Sequence, residues 1–99
     1  MNFFDKYTSK ISELCKRYNV KKLFAFGSVL TDHFNENSDV DLIVEFKRMP
    51  LKNYANNYFD FKFSLQNIFN KDVDLLESQT IKNPVLQRSI ERNKLLIYG

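Results

Sequence analysis

The sequence predicts an α/β fold in which helices flank one small mixed β-sheet. Two long segments carry apolar residues at steps of three and four, the spacing of amphipathic helices. Three short apolar runs, bounded by polar or turn-forming residues, have the composition of buried strands. Because these helices and strands alternate along the chain, we expect the helices to pack against a single sheet.

The first predicted element is an amphipathic helix over about residues 2–18, which Asn19 is expected to end. Cys15 falls on its apolar side, and we interpret it as a core residue rather than as a catalytic thiol. The apolar positions recur at three- and four-residue steps and are Phe4, Tyr7, Ile11, Leu14 and Tyr18.

A strand over about residues 22–26 follows and ends in a Gly-Ser turn. Gly27 can take a positive φ and let a phosphate group approach the backbone closely. Ser28 is expected to open a short helical turn, whose free amides and hydroxyl suit an anion. The turn therefore predicts a phosphate site.

Two carboxylates mark the second predicted strand, over about residues 39–46. Asp39 and Asp41 are two residues apart, so both side chains are expected on one face of the strand. Adjacent carboxylates repel each other unless a proton or a cation relieves them, and Mg²⁺ prefers such oxygen ligands. The alternative interpretation is a hairpin with solvated acids near its turn. His33, in the polar segment 31–38, is expected to be a solvated loop residue.

Met49-Pro50 ends this strand, and a second helix begins near Leu51. Its apolar stripe is broader than one small sheet requires. Core packing is the first interpretation of the stripe, and an interface with a partner is the alternative. The stripe consists of Leu51, Tyr54, Ala55, Tyr58, Phe59, Phe61, Leu65, Ile68 and Phe69.

A third strand over about residues 73–76 carries Asp74 among valine and leucine residues. If this strand lies beside the second, Asp74 joins Asp39 and Asp41. Two metal ions could then clamp the attacking and leaving oxygens of a phosphoryl or nucleotidyl transfer. Asp74 is the best placed of the three to activate an attacking hydroxyl.

The C-terminal part predicts a helix over about residues 84–93 that buries Leu86 and Ile90. Asn83 is a good N-cap, and Pro84 suits the first helical position. Residues 95–98 are apolar, and either form a last short strand or pack loosely.

Length and composition set further bounds. The 99 residues are expected to form a single domain over residues 1–99, and 43% hydrophobic residues can supply its core. The net charge of +3 comes from cations scattered among acids, so no direct nucleic-acid binding is expected. One cysteine excludes an internal disulfide. With no signal peptide or membrane-spanning run, we expect a cytoplasmic protein without membrane association.

The pattern Gly27-Ser28, ten further residues, Asp39-x-Asp41 and a downstream Asp74 resembles the signature of the DNA polymerase β nucleotidyltransferase superfamily. The short length and the tail over residues 83–92 resemble the minimal nucleotidyltransferases (MNT proteins) of prokaryotes. These are the antitoxin partners of HEPN ribonuclease toxins. The resemblance covers nearly the whole chain.

The resemblance implies a Mg²⁺-dependent enzyme that transfers AMP from ATP to a tyrosine of the partner toxin and silences its RNase activity. Gly27 and Ser28 would bind the nucleotide triphosphate. Asp39, Asp41 and Asp74 would be the catalytic residues and the ligands of two Mg²⁺ ions. A hetero-oligomer with the HEPN toxin is expected. The Gly-Ser pair is followed here by residues 29–32, Val-Leu-Thr-Asp, where many family members carry an arginine and a second glycine.

Two other functions are weighed against this one. A binding-only antitoxin would explain the absent arginine and the broad aromatic stripe, but not three clustered carboxylates, which repel each other when empty. A small-molecule nucleotidyltransferase of the antibiotic-modifying type is disfavoured, because the chain has no room for an acceptor-binding domain. The sequence does not specify the acceptor residue, the number of AMP units or the nucleotide preference.

Overall fold

The computed structural model describes residues 2–99 and contains a mixed four-stranded sheet, which confirms the predicted fold class. The strand order across the sheet is β3-β2-β1-β4. β1 is antiparallel to both of its neighbours, and β2 is parallel to β3. The strands are β1 Val20–Phe26, β2 Val40–Phe46, β3 Val73–Glu77 and β4 Leu95–Tyr98.

In the described part of the chain, three α-helices accompany the sheet: α1 Thr8–Arg17, α2 Leu51–Phe69 and α3 Pro84–Asn93. Parallel strands need a long crossover connection, and α2 provides the one between β2 and β3. A 3-10 turn over Gly27–Leu30 follows β1 directly. Within residues 2–99, no helix is both long enough and apolar enough to cross a membrane.

The main core lies between one face of the sheet and the helices α1 and α2. It takes alternate residues from each strand, as a half-buried sheet requires. Cys15 belongs to this core, and burial raises the pKa of its thiol to about 12, so the thiol stays protonated. The fully buried side chains include Ile11, Leu23, Val40, Leu42, Val44, Phe61 and Leu65.

The opposite face of the sheet is only partly covered. Ile90 of α3 is buried there, in a group with Phe24 of β1 and Ile43 of β2. Asp41 precedes Ile43 by two positions and shares its face. This second face is therefore apolar beneath α3 and acidic beside it.

The structure differs from the predictions at three element boundaries and in the burial of one residue. The N-terminal helix is shorter, because a 3-10 turn over Asp5–Tyr7 precedes α1. β1 begins at Val20, earlier than predicted. β2 begins at Val40, so Asp39 lies just before the strand. Leu86 was predicted to be buried but is 42% exposed, because α3 turns only its Ile90 side fully to the sheet.

The structure decides between the two alternatives for residues 95–98 and confirms the predicted start of α3. Residues 95–98 form β4, which pairs with β1. The Asn83 side chain accepts hydrogen bonds from the backbone amides of Val85 and Leu86, with Pro84 at the first turn of α3. The cap fixes the start of the helix that lies beside the acidic face.

Candidate active site

The parallel pairing of β2 with β3 brings Asp41 beside Asp74. The two residues are direct register partners, and neighbouring strands lie about 4.8 Å apart. Val40 and Leu42, on either side of Asp41, are fully buried in the main core, so Asp41 points to the opposite, open face. The expectation that Asp74 joins the first acidic pair is therefore supported by the strand register.

Asp39 and Asp41 act electrostatically on each other, as their spacing predicts. Burial raises the pKa of the Asp41 carboxyl above its usual value, and the negative charges of Asp74 and then Asp39 raise it further. Asp39 and Asp74 are exposed, whereas Asp41 is half-buried. The three carboxylates thus form one acidic cluster, with Asp41 at its most desolvated point.

Gly27 closes this cluster on the β1 side. Phe26, the last residue of β1, is the register partner of Asp41, and Gly27 follows it with φ +76°. A Cβ atom at Gly27 would lie 2.5 Å from Asp41 Oδ2. Only glycine satisfies both the positive φ and the close approach of the carboxylate. The predicted positive φ is therefore confirmed, with the Asp41 carboxylate directly against the turn.

Ser28 lies in the 3-10 turn that follows Gly27, as predicted. Its backbone carbonyl accepts hydrogen bonds from the amide and the hydroxyl of Thr31, both at 2.9 Å. In the part of the chain that the structure describes, the Ser28 hydroxyl makes no hydrogen bond of its own. This hydroxyl is therefore available to a ligand beside the acidic cluster. Val29, the first of the four residues that replace the arginine-containing and glycine-containing stretch of the resembled family, is buried.

The donor chemistry of the cluster suits Mg²⁺, which takes one or two carboxylates and completes its shell with water and phosphate oxygens. Among residues 2–99, no three His, Cys, Asp or Glu side chains converge to form a ready metal site. Like charges repel, so the free carboxylates have a physical reason to stand apart. The arrangement fits an ion shared with a phosphate ligand rather than one enclosed by protein alone.

Two features near the cluster were missed by sequence reasoning. A cleft of about 530 Å³ lies between the Gly27 turn and α3, lined partly by Phe26, Leu30 and Ile90. Lys71 lies beside Asp39, in a polar groove. Neither has a signal in the sequence, because both depend on how distant segments meet.

Comparison with known proteins identifies the family. Residues 9–99 match the family model described as Polymerase beta, Nucleotidyltransferase. This chain belongs to that nucleotidyltransferase family. It is therefore related to enzymes, and Gly27, Ser28, Asp39, Asp41 and Asp74 all lie inside the matched segment.

A relative from Methanocaldococcus jannaschii, named for an inferred protein adenylyltransferase activity, is 36% identical over 85 residues. The match covers 86% of this chain and 82% of that protein. Its extent excludes a likeness confined to the short Gly-Ser and Asp-x-Asp motif.

Two solved structures share the fold of this nucleotidyltransferase. One is a crystal structure of a toxin-antitoxin with AMP-PNP, which superposes with a TM-score of 0.70 at 20% sequence identity. The match covers 93% of this chain and 73% of that chain. The other is the tri-AMPylated HEPN toxin of Shewanella oneidensis in complex with MNT antitoxin, with a TM-score of 0.62 at 18% sequence identity. The match covers 93% of this chain and 69% of that chain. At these identities, the likeness concerns the fold.

Proposed function

We propose that this nucleotidyltransferase transfers AMP from ATP to a tyrosine hydroxyl of a HEPN-type toxin and so acts as the antitoxin of that toxin. One observation carries the proposal: Asp41 is in register with Asp74 and lies directly against the Gly27 turn. The carboxylates and the turn that we expect to bind phosphate therefore lie at one point of the open sheet face. Nucleotidyl transfer needs both groups there.

The similarities favour a protein as the acceptor. The Methanocaldococcus relative is named for protein adenylyltransferase activity. One structure of the same fold includes a tri-AMPylated HEPN toxin together with an MNT antitoxin. Another holds AMP-PNP, an ATP analogue.

Each residue of the cluster has a distinct part in the proposed reaction. The Gly27 backbone and the Ser28 hydroxyl hold the triphosphate, because Gly27 is exposed and has no side chain to block a phosphate. Asp39 and Asp41 bind Mg²⁺, which when bound offsets the negative charge of the triphosphate. Asp74, exposed on the neighbouring strand, completes the metal site and accepts the proton of the attacking hydroxyl.

The bonds that change follow from this placement. The acceptor oxygen forms a bond to the α-phosphorus of ATP, while the bond from that phosphorus to the β-phosphate oxygen breaks. Pyrophosphate leaves, and the proton of the hydroxyl passes to Asp74. The raised pKa of Asp41 reflects its burial first and the charges of Asp74 and Asp39 second, and a bound cation would offset the repulsion among the three carboxylates.

Intact-mass spectrometry of the protein encoded beside this one tests the proposal directly. Incubation with this nucleotidyltransferase, ATP and Mg²⁺ is expected to add one or more AMP units to that protein. The Asp39→Asn variant is expected to add none. A stable complex without any mass gain would instead establish an antitoxin that acts by binding alone. Neither a complex nor a mass gain would direct the search to small-molecule acceptors.

Replacing Ser28 by alanine is expected to raise the ATP concentration for half-maximal transfer about tenfold. A hydrogen bond to a charged group contributes about 1.5–3 kcal/mol, and this hydroxyl has no partner to lose among residues 2–99. Steady-state kinetics at varied ATP measures the effect. Ser9→Ala, an exposed position on α1, is the matched control. Unchanged kinetics in Ser28→Ala would contradict the phosphate-binding role.

Replacing Asp74 by asparagine is expected to slow transfer about 100-fold, the scale of a lost general base, while ATP still binds. The fold should persist, because Asp74 is exposed. Calorimetry of ATP binding, beside rapid-quench measurement of the transfer step, separates the two effects. Asp72→Asn removes the same charge two residues earlier and is the control. Equal loss of ATP binding in Asp74→Asn would make the residue chiefly a metal ligand.

A further inference from the structure

Lys71 lies between α2 and β3, and its ammonium group binds the loop that leads into Asp39. Lys71 Nζ donates hydrogen bonds to three backbone carbonyls: those of Asn35 at 2.8 Å, Glu36 at 2.9 Å and Ser38 at 3.3 Å. An ammonium group has three donors, so these three acceptors satisfy it fully. Lys71 is therefore committed to the loop rather than to solvent.

The same loop is held on its apolar side. The Lys71 ammonium lies 4.8 Å from the ring centroid of Phe34, within cation-π range. Phe34 in turn packs edge-on against Phe3, with centroids 5.1 Å apart, and Phe3 contacts Phe69 at the end of α2. The loop thus has an apolar anchor at Phe34 and a charged anchor at Lys71.

The segment that carries Lys71 is itself fixed to the sheet and to α2. The Val40 amide donates to the Asp72 carbonyl at 3.0 Å, where β2 and β3 begin. The Val73 amide donates to Gln66 Oε1 at 3.1 Å. Lys71 therefore extends from a rigid base, and the loop carbonyls are held relative to the start of β2.

We propose that Lys71 is a positioning residue, which holds the loop over residues 31–38 and thereby places the Asp39 carboxylate beside Asp41. Asp39 is exposed and precedes the first residue of β2, so strand pairing alone does not fix it. Its neighbour Ser38 is one of the three residues whose carbonyls Lys71 binds. The consequence for Mg²⁺ and ATP rests on the proposed function, whereas the anchoring of the loop does not.

The test compares Lys71→Met, which keeps an apolar stem without the charge, with Lys71→Arg, which keeps a cationic donor. Lys10→Met removes the same charge from an exposed site on α1 and is the matched control. Amide hydrogen exchange without nucleotide measures the loop. Calorimetry of ATP binding at varied Mg²⁺ measures the metal requirement, and neither readout needs an acceptor protein.

In Lys71→Met, amides of residues 35–40 are expected to exchange about tenfold faster, because local opening becomes easier. The Mg²⁺ concentration that half-saturates ATP binding is expected to rise about tenfold, the scale for losing a group that orients a metal ligand. ATP binding at saturating Mg²⁺ should recover. Lys71→Arg and Lys10→Met are expected to behave as the wild-type protein.

Three results would overturn the role of Lys71. Unchanged exchange over residues 35–40 would show that the ammonium does not hold the loop. Faster exchange across the whole sheet, with an unchanged Mg²⁺ requirement, would show that Lys71 contributes only to the overall stability of the fold. If the wild-type protein bound ATP equally well with and without Mg²⁺, there would be no metal site for Asp39 to serve. A wild-type protein that binds ATP with Mg²⁺ but transfers no AMP contradicts only the proposed function.

Discussion

Replacement of Asp41 by asparagine is expected to lower AMP transfer at least about 100-fold. The change keeps the size of the side chain but removes the charge at the point where β1, β2 and β3 meet. Losing a carboxylate ligand to a catalytic metal forfeits several kcal/mol of charge stabilisation, and each 1.36 kcal/mol is about a factor of ten in rate. Single-turnover transfer measures the loss. Activity near that of the wild-type protein would refute the metal-ligand role.

The same substitution is expected to make the free protein more stable. Burial and two neighbouring carboxylates oppose the charge of Asp41, and asparagine relieves both effects. We expect the thermal midpoint at neutral pH to rise by about 2–4 °C, a modest value because solvent screens the cluster. Asp72→Asn again serves as the control. A lower midpoint in Asp41→Asn would show that the carboxylate contributes net stability.

The pH dependence of this gain has a defined sign. Because the pKa of Asp41 is raised in the folded state, the folded protein holds this proton more tightly than the unfolded chain. Stability from this group is therefore present below its unfolded pKa and falls as pH rises through its folded pKa. The difference in midpoint between Asp41→Asn and the wild-type protein should be largest at neutral pH and shrink in acid. A difference that grows in acid would contradict the assigned cause.

Replacement of Gly27 by alanine is expected to impair both stability and transfer. Alanine at φ +76° costs about 1–2 kcal/mol, because its Cβ crowds the backbone. The added Cβ would also lie 2.5 Å from Asp41 Oδ2, so the carboxylate must turn away from the turn. Transfer should fall about 100-fold, as for direct loss of this ligand. Thermal unfolding and transfer kinetics measure the two effects.

Gly27→Asn separates strain from displacement. Asparagine tolerates a positive φ better than alanine but brings the same Cβ. We expect it to be more stable than Gly27→Ala and equally poor in transfer. In an Asp41→Ala background, the contact with the carboxylate is absent, so Gly27→Ala should cost only the backbone strain. Gly27→Asn with normal transfer would show that the close approach of Asp41 to the turn is dispensable.

Much of the candidate site was visible in local sequence. A Gly-Ser pair after an apolar run predicts a turn with positive φ, which Gly27 has. The strand face predicted for both aspartates holds for Asp41 alone, because Asp39 precedes β2. The capped start of α3 was also predicted from the sequence, because a cap involves residues only a few positions apart. These features depend on steric and hydrogen-bonding rules that act within a few residues, so the sequence alone determines them.

Tertiary structure decided which of these pieces meet. The partnership of Asp41 with Asp74 requires that β3 lie parallel beside β2, a choice made by the α2 crossover and its buried face. The exposure of Leu86 and the hold of Lys71 on three loop carbonyls also escaped the sequence. Every residue has a backbone carbonyl, so the sequence does not show which carbonyls Lys71 binds. The exposure of Leu86 depends on which apolar face of α3 packs against the sheet. The sequence by itself thus determined the chemical groups and their local geometry, whereas long-range packing decided which groups share one site.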